Sequence, residues 1–147
     1  MAKMIFVNLP VKDVARSTAF YQALGFTRDE RFSNEQASAM QWSDEISVMI
    51  LAHGFYRTFI ADKQIADSSK TNEVLLCLSF DSREAVDAIT EKAAAAGGRA
   101  DIREPQDMGF MYGRSFEDPD GHIYEPMFMD MEAAMAAFPD GPAHELA

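Results

Sequence analysis

SFDSREAVDAITEKAAAAGG, residues 79–98, decides how this chain is read, because its order of features repeats VKDVARSTAFYQALGF at residues 11–26. Each stretch leaves an apolar run, passes a polar capping residue, continues with helical periodicity and stops at glycine. In the earlier copy Asp13 is the expected N-cap, and Gly25 ends a helix that runs to about Leu24. That helix turns Val14, Thr18 and Tyr21 inward, with Ala15 and Leu24 beside them. In the later copy Asp81 is the expected cap, Glu84 completes a capping box, and Gly97-Gly98 follows a helix running to Ala96. Few residues are identical; what repeats is the architecture.

Strand patterns surround both helices. Residues 4–9 alternate, with Ile5, Val7 and Leu9 on one face and Met4, Phe6 and Asn8 on the other. Residues 27–32, 38–42 and 46–52 read as three antiparallel strands, separated by turn chemistry at Asn34-Glu35 and Ser43-Asp44-Glu45. After a polar stretch the order restarts with a strand over 74–80 and, past the helix, strands near 101–104, 111–116 and 122–129. An Ala-rich helix over 131–138 carries Met131, Ala134, Met135 and Phe138 on one face, and the tail beyond it reads as frayed. The expected fold class is α+β: one domain over 1–147, with βαβββ modules at 1–60 and 73–130, a connector at 61–72 and a C-terminal helix and tail at 131–147. An ordinary α+β domain whose order repeats by chance is the alternative.

Composition narrows the function. The formal charge is −11, with 24 acidic residues against 13 Lys and Arg, and no dense basic stripe. Phosphate backbones and anionic membranes both require such a stripe, so neither nucleic acid nor a membrane is an expected partner. No apolar run approaches the roughly 20 residues of a membrane helix, and no signal peptide is read at the start. The single cysteine, Cys77, suits a reducing cytoplasm. Phosphate-cradling glycine loops, zinc-ligand cysteine pairs and nucleophile elbows are not found.

Glu125 is the residue that asks for an explanation. In FEDPDGHIYEPMF, residues 116–128, it shares a strand face with Ile123, Met127 and Met129. A buried carboxylate among apolar neighbours takes up a proton or finds a partner. Three readings compete: a general acid or base, an anchor for a cationic or hydrogen-bonding ligand, or a structural ion pair with Arg114 on the preceding strand. Phe110, Met111 and Tyr112, in PQDMGFMYGR at 105–114, either cover a pocket mouth or belong to the core. Trp42 reads as a pocket wall, a dimer contact or a core side chain. Phe55, Tyr56 and Phe59 read as pocket caps or packing for the connector. Arg57 either neutralises an acidic ligand or sits in solvent. Cys77 has no charged neighbour in sequence to activate it as a nucleophile.

With VKDVARSTAFYQALGF, LSFDS and FEDPDGHIYE in this order across residues 4–129, the chain resembles the vicinal oxygen chelate superfamily. That superfamily holds glyoxalase (lactoylglutathione lyase), bleomycin-resistance proteins and extradiol dioxygenases. The resemblance implies two βαβββ modules curled into a cup that holds a divalent metal and a small organic ligand, often in a homodimer. Its four metal-ligand positions carry over to Phe6, Met49, Leu75 and Glu125; a slip of two would move the second to Leu51. Only Glu125 has ligand chemistry, whereas zinc takes about four N, O or S donors and magnesium about six. A metal cofactor is therefore disfavoured, although a rearranged set of Asn8, His53 and Glu125 stays open. The expected ligand-binding residues are Phe6, Asn8, Trp42, Met49, Leu75, Phe110, Tyr112, Arg114 and Met127. Two functions follow from the resemblance. One is a lyase or isomerase for a small carbonyl or thiol-adduct compound, with Glu125 as acid and base and Arg114 or Tyr112 stabilising an oxyanion. The other is a non-catalytic, resistance-type protein that sequesters a small molecule.

Overall fold

β1 (Ile5–Val11) runs through the Asp13 cap into α1 (Val14–Ala23). The Asp13 carboxylate accepts from the Arg16 amide at 3.0 Å, and Gly25 closes the helix at φ +104°, a left-handed conformation that costs glycine little. β2 (Thr27–Arg28), β3 (Ala37–Gln41) and β4 (Ile46–Ala52) complete a sheet of order β1-β4-β3-β2, with β1 parallel to β4. The expected strand over 27–32 stops at Arg28, because Asp29 caps a 3-10 turn, Glu30–Phe32, instead. This computed structural model describes residues 2–140; the end of the expected frayed tail lies outside them.

A short helix that the pattern did not announce, α2 (His53–Arg57), follows β4. Residues 58–74 then carry no strand or helix. The second half holds β5 (Leu75–Phe80), α3 (Arg83–Ala95), β6 (Arg99–Ala100), β7 (Gln106–Asp107), β8 (Met111–Gly113), β9 (Phe116–Glu117), β10 (Ile123–Met129) and α4 (Met131–Ala137). β10 is parallel to β5 on one side and antiparallel to β8 and β9 on the other. The two halves are therefore βαβββ units of the same topology, and the fold class is α+β, as expected.

Three local expectations are corrected. Ser82, not Asp81, caps α3, accepting from the Ala85 amide at 3.1 Å. The expected strand at 101–104 is a loop: Asp101 takes φ +53°, and pairing divides into β6 with β9 and β7 with β8. On α4 only Ala134 is buried, and Phe138 meets Phe110 at 5.2 Å, while Met131 and Met135 face solvent.

The core lies between the two sheets' helix-bearing faces. Leu9 and Val11 of β1, Phe20 and Tyr21 of α1, Ile89 of α3, Phe116 and Tyr124 form one buried cluster. Ala15, expected inward, is exposed; Ser17 and Phe20 take the buried positions. Tyr21 meets Phe20 at 5.2 Å and Tyr124 at 5.9 Å, and Tyr124 stacks on Phe116 at 5.2 Å. Such pairs contribute about 0.5–1.5 kcal/mol each beyond the area they bury.

The turn Asp118-Pro119-Asp120-Gly121 is the polar lock between the halves. Asp118 accepts from the amides of Asp120 and His122 at 3.0 and 2.9 Å and from the Tyr21 hydroxyl at 2.7 Å. Tyr124 donates in turn to Tyr21 at 2.9 Å. Asp120 accepts from the Lys12 amide at 2.9 Å and the Ser17 hydroxyl at 3.3 Å, at the start of α1. His122 Nε2 lies 2.8 Å from the Pro10 carbonyl. Sequence alone presented this segment only as a turn.

Candidate functional site

Strand register assembles the candidate site. Tyr124, Leu76, Leu78 and Phe80 belong to or pack on the core, so alternation turns their neighbours to the face away from α1 and α3. On that face Leu75 lies opposite Ile123, Cys77 opposite Glu125, and Ser79 opposite Met127. Gly113 and Met111 extend it opposite Met127 and Met129. In the first sheet the equivalent face sets Phe6 opposite Ser47 and Asn8 opposite Met49. Phe6, Asn8, Met49, Leu75, Glu125 and Met127 thus all occupy the two sheet faces turned away from the helices. Phe6 and Leu75, 54% and 55% exposed, are available to a ligand or a partner.

Glu125 has a partner, and it is Arg103. Glu125 Oε2 accepts from Arg103 Nε at 3.1 Å and from Nη2 at 2.6 Å; Nη2 also reaches Gln106 Oε1 at 3.4 Å. Side-chain exposures are 48% for Arg103 and 20% for Glu125, so the pair sits at the rim between solvent and the apolar face. The expected Arg114 pairing is overturned. Arg114 donates to Pro126 through its amide, which puts it on the opposite face from Glu125. There its guanidinium bonds Asp87 at 3.0 Å, Glu91 at 2.8 Å and Asp101 at 2.7 Å.

The other expected ligand contacts lie elsewhere too. The Tyr112 hydroxyl donates to Asp87 at 2.7 Å, and its ring lies under the Arg83 guanidinium at 5.0 Å, against α3. Trp42 is wedged between Phe26 at 4.9 Å and Phe80 at 5.4 Å. Phe110 is buried against Phe138. Neither Arg114 nor Tyr112 is therefore placed to stabilise an oxyanion beside Glu125. Burial, and secondarily the Glu125 charge, push the Cys77 thiol up, which keeps it protonated and a poor nucleophile.

The donor set does not fit a divalent metal. Register places Met49 and Glu125 opposite Asn8 and Cys77 rather than opposite Phe6 and Leu75. Either grouping offers one carboxylate, already bonded to a guanidinium. Its companions are hydrocarbon, thioether, amide and a thiol held in its neutral form. Metals bind thiolate, not thiol, and the ion's hydration shell would be lost for too few donors. Among the described residues no group of three or more His, Cys, Asp or Glu side chains has metal-holding geometry. His53, from the alternative set, lines a groove with Lys12, Arg57 and Lys63.

Comparison with known proteins gives the class. The profile of the Glyoxalase/Bleomycin resistance protein/Dioxygenase superfamily matches residues 3–125, and the chain belongs to that family. A hypothetical protein from S. aureus shares 27% identity, covering 87% of this chain and 95% of its own, at a TM-score of 0.72. A glyoxalase/bleomycin resistance protein/dioxygenase family enzyme from Burkholderia phytofirmans PsJN is 22% identical over 87% and 99% of the two chains, TM-score 0.71. Lactoylglutathione lyase from Agrobacterium tumefaciens is 14% identical over 87% and 94%, TM-score 0.63; at those identities the likeness is one of fold. No curated protein matches the sequence.

Proposed function

We propose that this protein binds a small organic molecule without a metal, on the faces of its two sheets turned away from the helices, with Glu125 and Arg103 as polar anchor. One observation carries the reading: the single family ligand position that kept ligand chemistry is committed to a guanidinium. Both contacts use Oε2, leaving Glu125 Oε1 and Arg103 Nη1 for a ligand's donor and acceptor. Leu75, Ile123 and Met127 supply apolar contact beside them. A molecule with an apolar body and an amide-like edge matches this arrangement, because such an edge satisfies both groups at once.

Ile5, Phe6, Val74 and Leu75 begin the two parallel-paired strands and are all exposed. A homodimer is part of the proposal, because a second copy of the chain covering Ile5, Phe6 and Val74 would take exposed apolar side chains out of water. The free thiol of Cys77 suits a cytoplasmic setting.

A second reading keeps Glu125 as acid and base for a lyase reaction, and the uncommitted Oε1 favours it. Its other oxygen is already committed to Arg103, however, which leaves that guanidinium less free to serve an oxyanion. The experiment is NMR of the Arg103 Nε–H signal in protein dialysed against EDTA, titrated with benzamide as probe. The expected result is a saturable shift, with affinity roughly tenfold weaker in Glu125→Gln, the loss appropriate to one charge-assisted hydrogen bond. A signal that stays still, or moves only after metal is restored, removes the reading. Turnover of a thiohemiacetal by the EDTA-dialysed protein, abolished in Glu125→Gln, would install the lyase in its place.

A further inference from the structure

The connector between the halves roofs a site that borders the sheet-face site at Ile123 but does not include Glu125 or Arg103. Of the eight arginines, seven lie in ion pairs with carboxylates: Arg16, Arg28, Arg31, Arg83, Arg99, Arg103 and Arg114. Among the described residues Arg57 alone has no such partner. In a chain of formal charge −11, an arginine left unpaired calls for a reason. Arg57 lines a groove of about 500 Å³ together with Lys12, His53 and Lys63, and neither lysine forms an ion pair among the described residues. The groove's two acids are already engaged. Asp120 is bonded by the Lys12 amide and Ser17, with Arg16 at 3.6 Å. Asp67 is bonded by the amide and hydroxyl of Ser69.

This basic groove opens onto an apolar one. Lys63, Gln64, Ile65, Ala66 and Ser68 also line a cavity of about 310 Å³ beneath the connector. Its floor is the seam between the halves: Val7 and Leu9 of β1, Leu76 of β5 and Ile123 of β10, with Ile60 and Ile65 above. That volume is in the range of small-ligand sites, and an apolar chamber with a charged mouth orients a ligand by its head group. The roof is pinned, because the Ser68 hydroxyl donates to the Asp120 carbonyl at 2.7 Å.

We propose that this groove and cavity form a second ligand site, one that takes a small amphipathic organic anion. The ring or short chain lies in the seam under the connector, and the carboxylate or sulfonate meets Arg57, Lys63 and Lys12. Guanidinium and ammonium together are suited to such a head group, and the groove's three cations, Lys12, Arg57 and Lys63, outnumber its two carboxylates. The site uses neither Glu125 nor Arg103, so it stands or falls separately from the sheet-face reading.

The test is a fluorescence titration with anilinonaphthalene sulfonate, competed by octanoate. The full chain is expected to bind one probe saturably, with affinity falling as salt is raised. Arg57→Glu with Lys63→Glu is expected to weaken binding by roughly tenfold or more, since reversing two exposed cations turns attraction into repulsion. Ala66→Trp, which blocks the junction of groove and cavity, is expected to remove it. Arg103→Ala should bind as the native chain does. The proposal is overturned if the probe does not bind, if charge reversal leaves its affinity unchanged, or if Phe6→Ser abolishes binding instead. The last result would place the probe on the exposed strand starts.

Discussion

Asp118→Ala is expected to cost about 3–5 kcal/mol, the toll of removing one partner from a buried polar network. Asp118 is 2% exposed and accepts from three donors: the Tyr21 hydroxyl and the amides of Asp120 and His122. Alanine satisfies none of them. Burial pushes both tyrosine hydroxyls up, so they remain donors and cannot adapt by losing a proton. The loss would take a third or more of the roughly 5–15 kcal/mol that holds a domain folded. Urea unfolding measures it as a lower midpoint at unchanged slope. A loss below about 1 kcal/mol, the net contribution of one ordinary hydrogen bond, would show that the turn is not the lock between the halves.

The pH dependence of that difference has a definite sign. Burial raises the Asp118 carboxyl above its ordinary 3.8, and the nearby His122 and the Tyr21 donor only partly offset it. A carboxyl raised on folding holds more protons in the native state. Its contribution to stability is therefore complete below the unfolded value and is lost as pH rises through the folded one. The gap between the native chain and Asp118→Ala is expected to be widest in acid and to narrow toward neutrality.

Gly121→Ala is the second large effect, and it separates strain from collision. Gly121 has φ +94°, and a Cβ there would stand 2.5 Å from the Ser68 carbonyl oxygen and 3.0 Å from its carbon. The obstacle is backbone, so relief requires the connector to retreat and its Ser68–Asp120 contact at 2.7 Å to break. Strain of about 1–2 kcal/mol and overpacking of about 1–3 kcal/mol add to an expected loss of about 2–5 kcal/mol. Gly97→Ala is the matched control: its φ is +106°, but nothing lies within 4 Å of the added carbon, so strain alone applies. In Gly121→Ala the amides of Lys70 and Thr71, which bond Asp67 within the connector, should exchange faster, while those of β10 keep their protection. Equal losses in the two variants would contradict the proposed roof contact.

The two helices were legible because their ends are chemical. Asp13 and Gly25 do at the ends of α1 what those residue types do in any helix, and Gly97 stops α3 in the same way. The alternation of β10 was legible too, since Tyr124 and Glu125 answer to opposite faces. What escaped was pairing across strands. Glu117 lies opposite Ile123 and Gly113 opposite Met127, so Arg114 falls beside Pro126, on the face away from Glu125. Pairing the residues that flank the turn at 118–121, Glu117 with His122, would instead have set Arg114 beside Glu125. The Asp118 amide donates to the His122 carbonyl, and that shift of one residue, which the turn sequence does not announce, rules out the Arg114–Glu125 pair. Arg103 was hidden for a different reason. It sits on a loop created by the left-handed Asp101, and no spacing rule ties a loop arginine to a carboxylate 22 residues later. Asp118 and Asp120 looked like turn residues and are turn residues; that they also bind α1 is a tertiary fact without a local signature.

The central claim is that the Glu125 carboxylate serves Arg103 and an organic ligand rather than a divalent ion. Isothermal titration of the EDTA-dialysed protein with Zn²⁺, Ni²⁺ and Mn²⁺ tests it most directly, with Glu125→Ala alongside. The account predicts no stoichiometric heat in either protein beyond weak surface binding. One tightly bound ion per chain, lost in Glu125→Ala, would contradict it.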